Sequence, residues 1–311
     1  MKNFLRYGTP KILCRKLAPL RFKLPRDNNE RKYVLSRVDY YNKLNGNHCL
    51  PNETITLANF KLPRKRKHKP AHSAYFFDTY EHSRYFDNSL KMSCEFGDIT
   101  HVPNIPSIVK SRPVGKDNAN AILLNLDKAR HFVFLNDRLK FADKKNLLIG
   151  RAAVYKNQTH RVQFYEMFFG HPMCNLGQVN RGETDHPEWF VEPLSIDQHL
   201  DYKFILCLEG NDVATNLKWV MSSNSLAVMP RPRYETWFME GSLIADYHYV
   251  EIDADYSNLE EKLRYYIQHP DLAQAIVEHA HEHVNQFKNK KREKLIAFLT
   301  LAKYFKLVIS G

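Results

Sequence analysis

The stretch KFILCLEG, residues 203–210, constrains this chain more than any other. Its unbroken apolar run lacks the alternation of a strand with one wet face and closes on a glycine, so it reads as a strand covered on both sides. NDVATNLKWVMSS follows with helical spacing, opening at Asp212, and SLAVMP is a second buried strand. A buried strand, a glycine turn, a helix and another buried strand form a crossover, which requires parallel pairing. The chain is therefore read as α/β.

The flanking segments fit alternation of the same kind. ILLNL and HFVFL are short apolar elements, LLIGRAAVY is a strand running into a loop, RVQFYEMFF has helical spacing, and YHYVEID is a further strand. Ser257 and Glu260 have the spacing of a capping box ahead of NLEEKLRYYIQ. Asp271 opens another helix to about Phe287, and KREKLIAFLTLAKYFKLVI closes the chain as an amphipathic helix. Nearer the start, Val34, Val38 and Tyr41 give 31–45 helical spacing. The aromatic-rich segment 71–98 is read as a strand followed by a helix. Residues 1–30 are basic and interrupted by proline, which predicts a loosely held arm with at most a short helix before Pro19.

With 311 residues, 43% of them hydrophobic, there is material for two cored domains, and no apolar run approaches the ~18 residues of a membrane span. Lys and Arg exceed Asp and Glu by 46 − 34 = 12, which predicts a polyanionic partner: nucleic acid, acidic head groups or a phosphorylated substrate. Seven of the ten residues in KLPRKRKHKP, 61–70, are Lys, Arg or His, so this run is solvated or bound to anions. The five cysteines include no C-x-x-C pair, which argues against zinc or redox chemistry and for a reduced, cytosolic chain. Charge and Pro10 follow Met1, so no secretory signal is expected.

Several local patterns carry chemistry, each with a structural alternative. The turn at Gly210 places backbone N–H groups and a helix start at the carboxyl edge of a parallel sheet, where nucleotide phosphates bind, or it is an ordinary turn capped by Asp212. Asp253-Ala-Asp255 copies a D-x-D metal motif, although carboxylates ahead of a helix are favoured by its dipole. His279 and His283 share a helix face without the glutamate or third ligand of a zinc site. Phe96-Gly97-Asp98 reads locally as a turn. Lys110, Arg112, Arg151 and Arg161 stand at element ends, as anion contacts or as surface residues.

KFILCLEGNDVATNLKWVMSSNSLAVMP, RYETWFMEGSL and HYVEIDADYSNLEEKLRYYIQHPDLAQAIVEHA together resemble the carboxyl-terminal half of family 90 glycosyltransferases. FGDITHVPNIPSIVKSRPV, NAILLNLDKARHF and DKKNLLIGRAAVYKNQTHR are similar to the bacterial branch of that family, and the resemblance runs from about residue 72 to 290. The family includes lipopolysaccharide-modifying enzymes, capsule-associated transferases and Rumi-type protein O-glucosyltransferases.

The resemblance implies a GT-B fold: an acceptor-side Rossmann-like lobe over 1–145, a nucleotide-sugar lobe over 146–288, and a helix over 289–311 returning to the first. It implies metal-independent inverting transfer from a UDP-sugar, glucose being the expected hexose, to lipopolysaccharide core or a related glycan. Asp98 falls on the family's general base. Gly210, Asn211, Asp212, Thr215, Asn216 and Lys218 fall on the phosphate side, with Arg151 and Arg161 adding charge and Glu235 and Glu240 where the donor is contacted. Ile149-Gly150-Arg151 sets the arginine one place later than the family pattern, and Asn216 replaces an arginine of eukaryotic members. The expected location is cytoplasmic, peripheral at the inner face of a bacterial inner membrane, with residues 1–30 and 61–70 on anionic lipid. A basic nucleic-acid-binding protein is the rival; no helix-turn-helix, RNA-recognition or zinc signature supports it, and no nucleic acid partner is expected.

Overall fold

A computed structural model describes residues 10–62, 73–182 and 184–310. The basic run 61–70 lies outside the described residues except for Lys61 and Leu62, as do residues 1–9. The chain divides into two compact units, one made of 1–128, 234–238 and 288–311 and the other of 129–233 and 239–287.

The second unit is built on five strands: β1 (Lys145–Ala152), then helix α1 (Thr159–Phe168), β2 (Cys174–Gln178), β3 (Tyr202–Leu206), β4 (Leu226–Met229) and β5 (Val250–Glu251). They pair in parallel throughout in the order β2-β1-β3-β4-β5. All residues of β3 and β4 are buried, as continuous apolar strands covered on both faces must be. Helices α2 (Leu259–Gln268) and α3 (Pro270–Asn285) contribute Leu259, Leu263, Tyr266, Ala273, Ile276 and Val277 to a core shared with Phe164, Leu176, Phe204 and Leu206. Gly177 in β2 has to be glycine: a Cβ there would lie 1.9 Å from Val191 Cγ2.

Three expectations for this unit are corrected. The helix expected from Asp212 is only the four-residue turn Leu217–Val220. Val213, Ala214, Leu217, Lys218, Val220 and Met221 are all buried, so the segment has no wet face to wind as an amphipathic helix, and Asn216 Nδ2 ties it to Leu206 O at 2.9 Å. The strand expected over YHYVEID shrinks to Val250–Glu251, because Tyr247 and His248 are drawn into a turn in which both donate their backbone N–H to Ile244 O, at 3.3 and 2.9 Å. The capping box does not form. Ser257 N and Oγ donate to Asp255 Oδ1 at 3.1 and 2.8 Å, leaving Asn258 as the cap position, and Glu260 turns to Arg264 and His171.

In the first unit, helix Asn28–Tyr41 is capped by Asp27 and packs against helix Lys290–Leu307, capped by Asn289. A parallel three-stranded sheet joins Cys94–Glu95, Ser107–Val109 and Ala121–Leu123. Ser111–Pro113 pairs antiparallel with Tyr234–Thr236, and His48–Leu50 pairs in parallel with Val308–Ser310. The aromatic segment reverses the expected order, with helix Ser73–Ser83 preceding the strand. Tyr75, Phe76, Asp78, Thr79, Glu81, His82 and Ser83 are all buried, more than one face of either period, so the residue types alone do not separate helix from strand there. The amino-terminal arm is docked rather than loose: helix Lys11–Arg21 runs through Pro19 and buries Cys14 and Ala18.

Arg112 links this unit together and is 0% exposed, so its reading as a surface residue is corrected. Its Nε donates to Glu235 Oε1 at 2.7 Å, its Nη1 to Tyr41 O at 3.3 Å and Ala121 O at 3.0 Å, and its Nη2 to Tyr40 O at 2.7 Å. The guanidinium thus caps the last carbonyls of helix Asn28–Tyr41, where a cation is favoured, and joins two strands to it. Arg112→Met should lower the unfolding free energy by roughly 3–5 kcal/mol, since Glu235 is then buried without its cation. Urea titration of parent and variant measures this, and Arg112→Lys should recover only part because an ammonium does not match the fork.

Candidate functional site

Strand order in the second unit reverses between β1 and β3, and in open parallel sheets the crevice beyond the carboxyl ends of two such strands takes the ligand. β1 leaves that edge through Ala153 toward α1, and β3 leaves it through Cys207, Leu208, Glu209 and Gly210. Arg161, in the first turn of α1, spans the gap. Its Nε donates to Glu209 O at 2.8 Å, its Nη1 to Ala153 O at 2.6 Å and its Nη2 to Leu208 O at 3.0 Å. A guanidinium carries five N–H donors, so one on each terminal nitrogen stays available for a ligand oxygen. Desolvation is the chief influence on this group and lowers its pKa from the usual value. Gly210 lies against it: a Cβ there would be 3.4 Å from Arg161 Nη2.

Neighbouring groups complete the crevice. His160 Nε2 is 2.8 Å from Glu209 O, and burial lowers the imidazole pKa. Gln158 Nε2 donates to Asn211 Oδ1 at 3.2 Å, while its buried Oε1 has no hydrogen-bond partner. Gln158 stands at the start of α1 without making a side-chain cap; Arg161 N donates to Gln158 O at 2.9 Å, and the amides of Thr159 and His160 ahead of it keep their donors for other acceptors. Glu209 accepts from Arg233 N and Nε, both at 2.8 Å, which fixes a second guanidinium beside the strand end.

The structure brings Arg161, Gly210 and Asn211 together at this edge. Asp212, Thr215 and Asn216 follow in the same loop, where Arg130 Nη2 reaches Thr215 Oγ1 at 3.4 Å. Lys218 and Glu240 are buried and meet each other, Nζ to Oε1 at 2.5 Å, with Met239 held in left-handed backbone at φ 59° immediately before Glu240. Arg151 is turned the other way. Its Nη1 and Nη2 bond Asn175 O and Oδ1, both at 2.8 Å, and Asn175 Nδ2 in turn donates to Tyr202 OH at the amino end of β3.

Two of the residues belong to the first unit. Glu235 is buried there, accepting from Arg112 and from Tyr40 OH. Asp98 accepts from buried Lys110 Nζ at 2.5 Å, with its carboxylate partly exposed. Gly97, at φ 129°, makes the turn that delivers it, and Ser111 Oγ holds the next residue by accepting from Ile99 N and donating to Ile99 O. Of the remaining motif residues, Asp255, His279 and His283 have side-chain partners and Asp253 is held through its backbone. Asp255 holds Ser257, Asp253 N donates to Asn258 Oδ1, His279 stacks on Tyr247 at 3.6 Å, and His283 Nδ1 lies 3.1 Å from Gln286. No cluster of three His, Cys, Asp or Glu side chains suited to a metal ion occurs among the described residues.

Gln158, His160, Glu209 and Arg233 were not singled out in the sequence. Their signal was position: QTHR opens the helix after β1, and PRPR follows the buried strand SLAVM.

These features define an α/β protein with a Rossmann-like sheet and basic side chains at its switch point. The model of the family described as Glycosyl transferase family 90 matches residues 140–309. O-glucosyltransferase LpsA of Dichelobacter nodosus is 43% identical over 278 residues, 89% of this chain and 84% of its own length. The chain belongs to glycosyl transferase family 90 and is a glycosyltransferase.

The buried Lys218–Glu240 pair makes a testable distinction. Lys218→Met should destabilise by roughly 3–5 kcal/mol by stranding Glu240, and Lys218→Met/Glu240→Leu should regain most of that. Denaturant unfolding of the two variants checks the pair. A single variant as stable as the parent would instead leave Lys218 available for ligand binding.

Proposed function

We propose that this protein transfers glucose from UDP-glucose, with inversion and without a metal, to lipopolysaccharide core or a related surface glycan. The observation that carries the reading is Arg161, fixed by three carbonyls at the switch point with donors to spare. The UDP-sugar, the inversion, the metal independence and the lipopolysaccharide acceptor come from the family resemblance, and the glucose is favoured by it and by the relative's name, O-glucosyltransferase. A peripheral position at the inner face of the membrane suits such an acceptor.

Transfer with inversion needs a base for the acceptor hydroxyl and a counter-charge for the departing UDP. Asp98 takes the proton as the acceptor oxygen attacks the anomeric carbon opposite the diphosphate. Negative charge then develops on the leaving oxygen. Arg161 and the amides of Thr159 and His160 at the start of α1 provide donors oriented before the reaction, which is where electrostatic catalysis is strongest. Arg233 adds charge at the same edge. Lys218 and Glu240 act in this reading by stiffening the loop from within, Arg151 by holding β1 to β2, and Glu235 by anchoring Arg112.

Purified protein with a panel of UDP-sugars should release UDP fastest from UDP-glucose, in EDTA as well as without it. Arg161→Ala should lower turnover by about two to three powers of ten, the size of losing one transition-state donor. Asp98→Asn should abolish transfer and leave UDP affinity, read by thermal shift, within a few-fold. Full activity in Asp98→Asn, or a strict divalent-metal requirement, overturns the mechanism. Salt-sensitive oligonucleotide binding without any response to UDP would favour the nucleic-acid rival.

A further inference from the structure

Helix Lys11–Arg21 has two apolar faces, and among the described residues one of them is packed into the core. Cys14 and Ala18, one turn apart, are buried against Tyr85, with Phe22, Phe86 and Phe298 packed around them. Phe22 and Phe298 stack at 4.1 Å. On the other face Ile12 is 67% exposed, Leu13 45%, Leu17 42% and Leu20 68%. Leu13, Leu17 and Leu20 follow the i, i+4, i+7 spacing, so with Ile12 they form one stripe along a helix about 16 Å long. Single exposed apolar residues are ordinary; a contiguous stripe marks a contact surface.

The charge around the stripe narrows what it touches. Residues 10–26 contain no Asp or Glu, and Lys16, Arg21, Lys23 and Arg26 are exposed. Lys16 falls within the arc of the stripe itself. A second copy of the same face would bring like charges together, which disfavours self-association. An anionic bilayer satisfies both features at once: aliphatic side chains enter the headgroup–acyl boundary while Lys and Arg stems snorkel to the phosphates. Docking through Cys14 and Ala18 turns the stripe away from the core and keeps it there.

We infer that helix Lys11–Arg21 is an interfacial anchor, lying in the plane of an anionic lipid surface with Ile12, Leu13, Leu17 and Leu20 inserted. The inference rests on the proposed function only for its setting, a lipid-linked acceptor. Vesicle binding requires neither donor nor acceptor.

The test is flotation of the full chain with vesicles of equal parts phosphatidylglycerol and phosphatidylcholine, and with phosphatidylcholine alone. The chain should float with the anionic vesicles only. Ile12→Ser/Leu17→Ser/Leu20→Ser should lower its partition about tenfold or more, and Lys16→Gln/Lys23→Gln should do the same at low salt. Both variants should keep the parent's unfolding midpoint, since the altered side chains are exposed. Undiminished binding of the serine variant would overturn insertion, and equal binding to neutral vesicles would overturn the charge requirement. Failure of the parent chain to float, or a concentration-dependent dimer that the serine variant loses, would overturn the anchor. Vesicle binding without UDP release from any UDP-sugar would count against the transfer reading and leave the anchor standing.

Discussion

A guanidinium taken out of water needs oxygen acceptors in its plane, and each unit of this chain is organised around one that has found them. In the first unit Arg112 gathers the end of a helix, two strands and the carboxylate of Glu235. In the second, Arg161 gathers the carbonyls of Ala153, Leu208 and Glu209, which leave two neighbouring strands just where their ladder stops. A sheet edge of this kind exposes carbonyls that nothing in the sheet can satisfy. The arginine that satisfies them also leaves positive charge at that edge, so one side chain both closes the fold and charges the end of the sheet.

This explains why the sequence was informative about the second unit. KFILCLEG and SLAVM are buried on both faces and show it in an unbroken apolar run, so parallel pairing was legible from residue types. The resemblance pointed to Arg161, and the fold adds the three carbonyls that hold it. What residue types do not show is a partner remote in the chain: Glu240 for Lys218, 22 residues on, Glu235 for Arg112, and Asn175 for Arg151. No local spacing reveals such a pairing.

The first unit was less legible for a related reason. Its strands are two or three residues long, too short for any period to register, and its aromatic helix Ser73–Ser83 buries residues on so much of its surface that helix and strand patterns overlap. The docking of Lys11–Arg21 leaves little trace in the residue types, because Cys14 and Ala18, both small, face inward, while the larger aliphatic residues that dominate the pattern face out.

Residues 234–238 belong to the first unit although the chain on either side belongs to the second. On a ribosome, the first 128 residues therefore emerge long before the strand that carries Glu235 and the helix that carries Glu293, and Arg37 and Arg112 have to wait for both carboxylates. The part of the protein made first is the part completed last. A nascent chain of this design carries an unfinished core through most of its synthesis, and apolar surface exposed for that long is prone to aggregate.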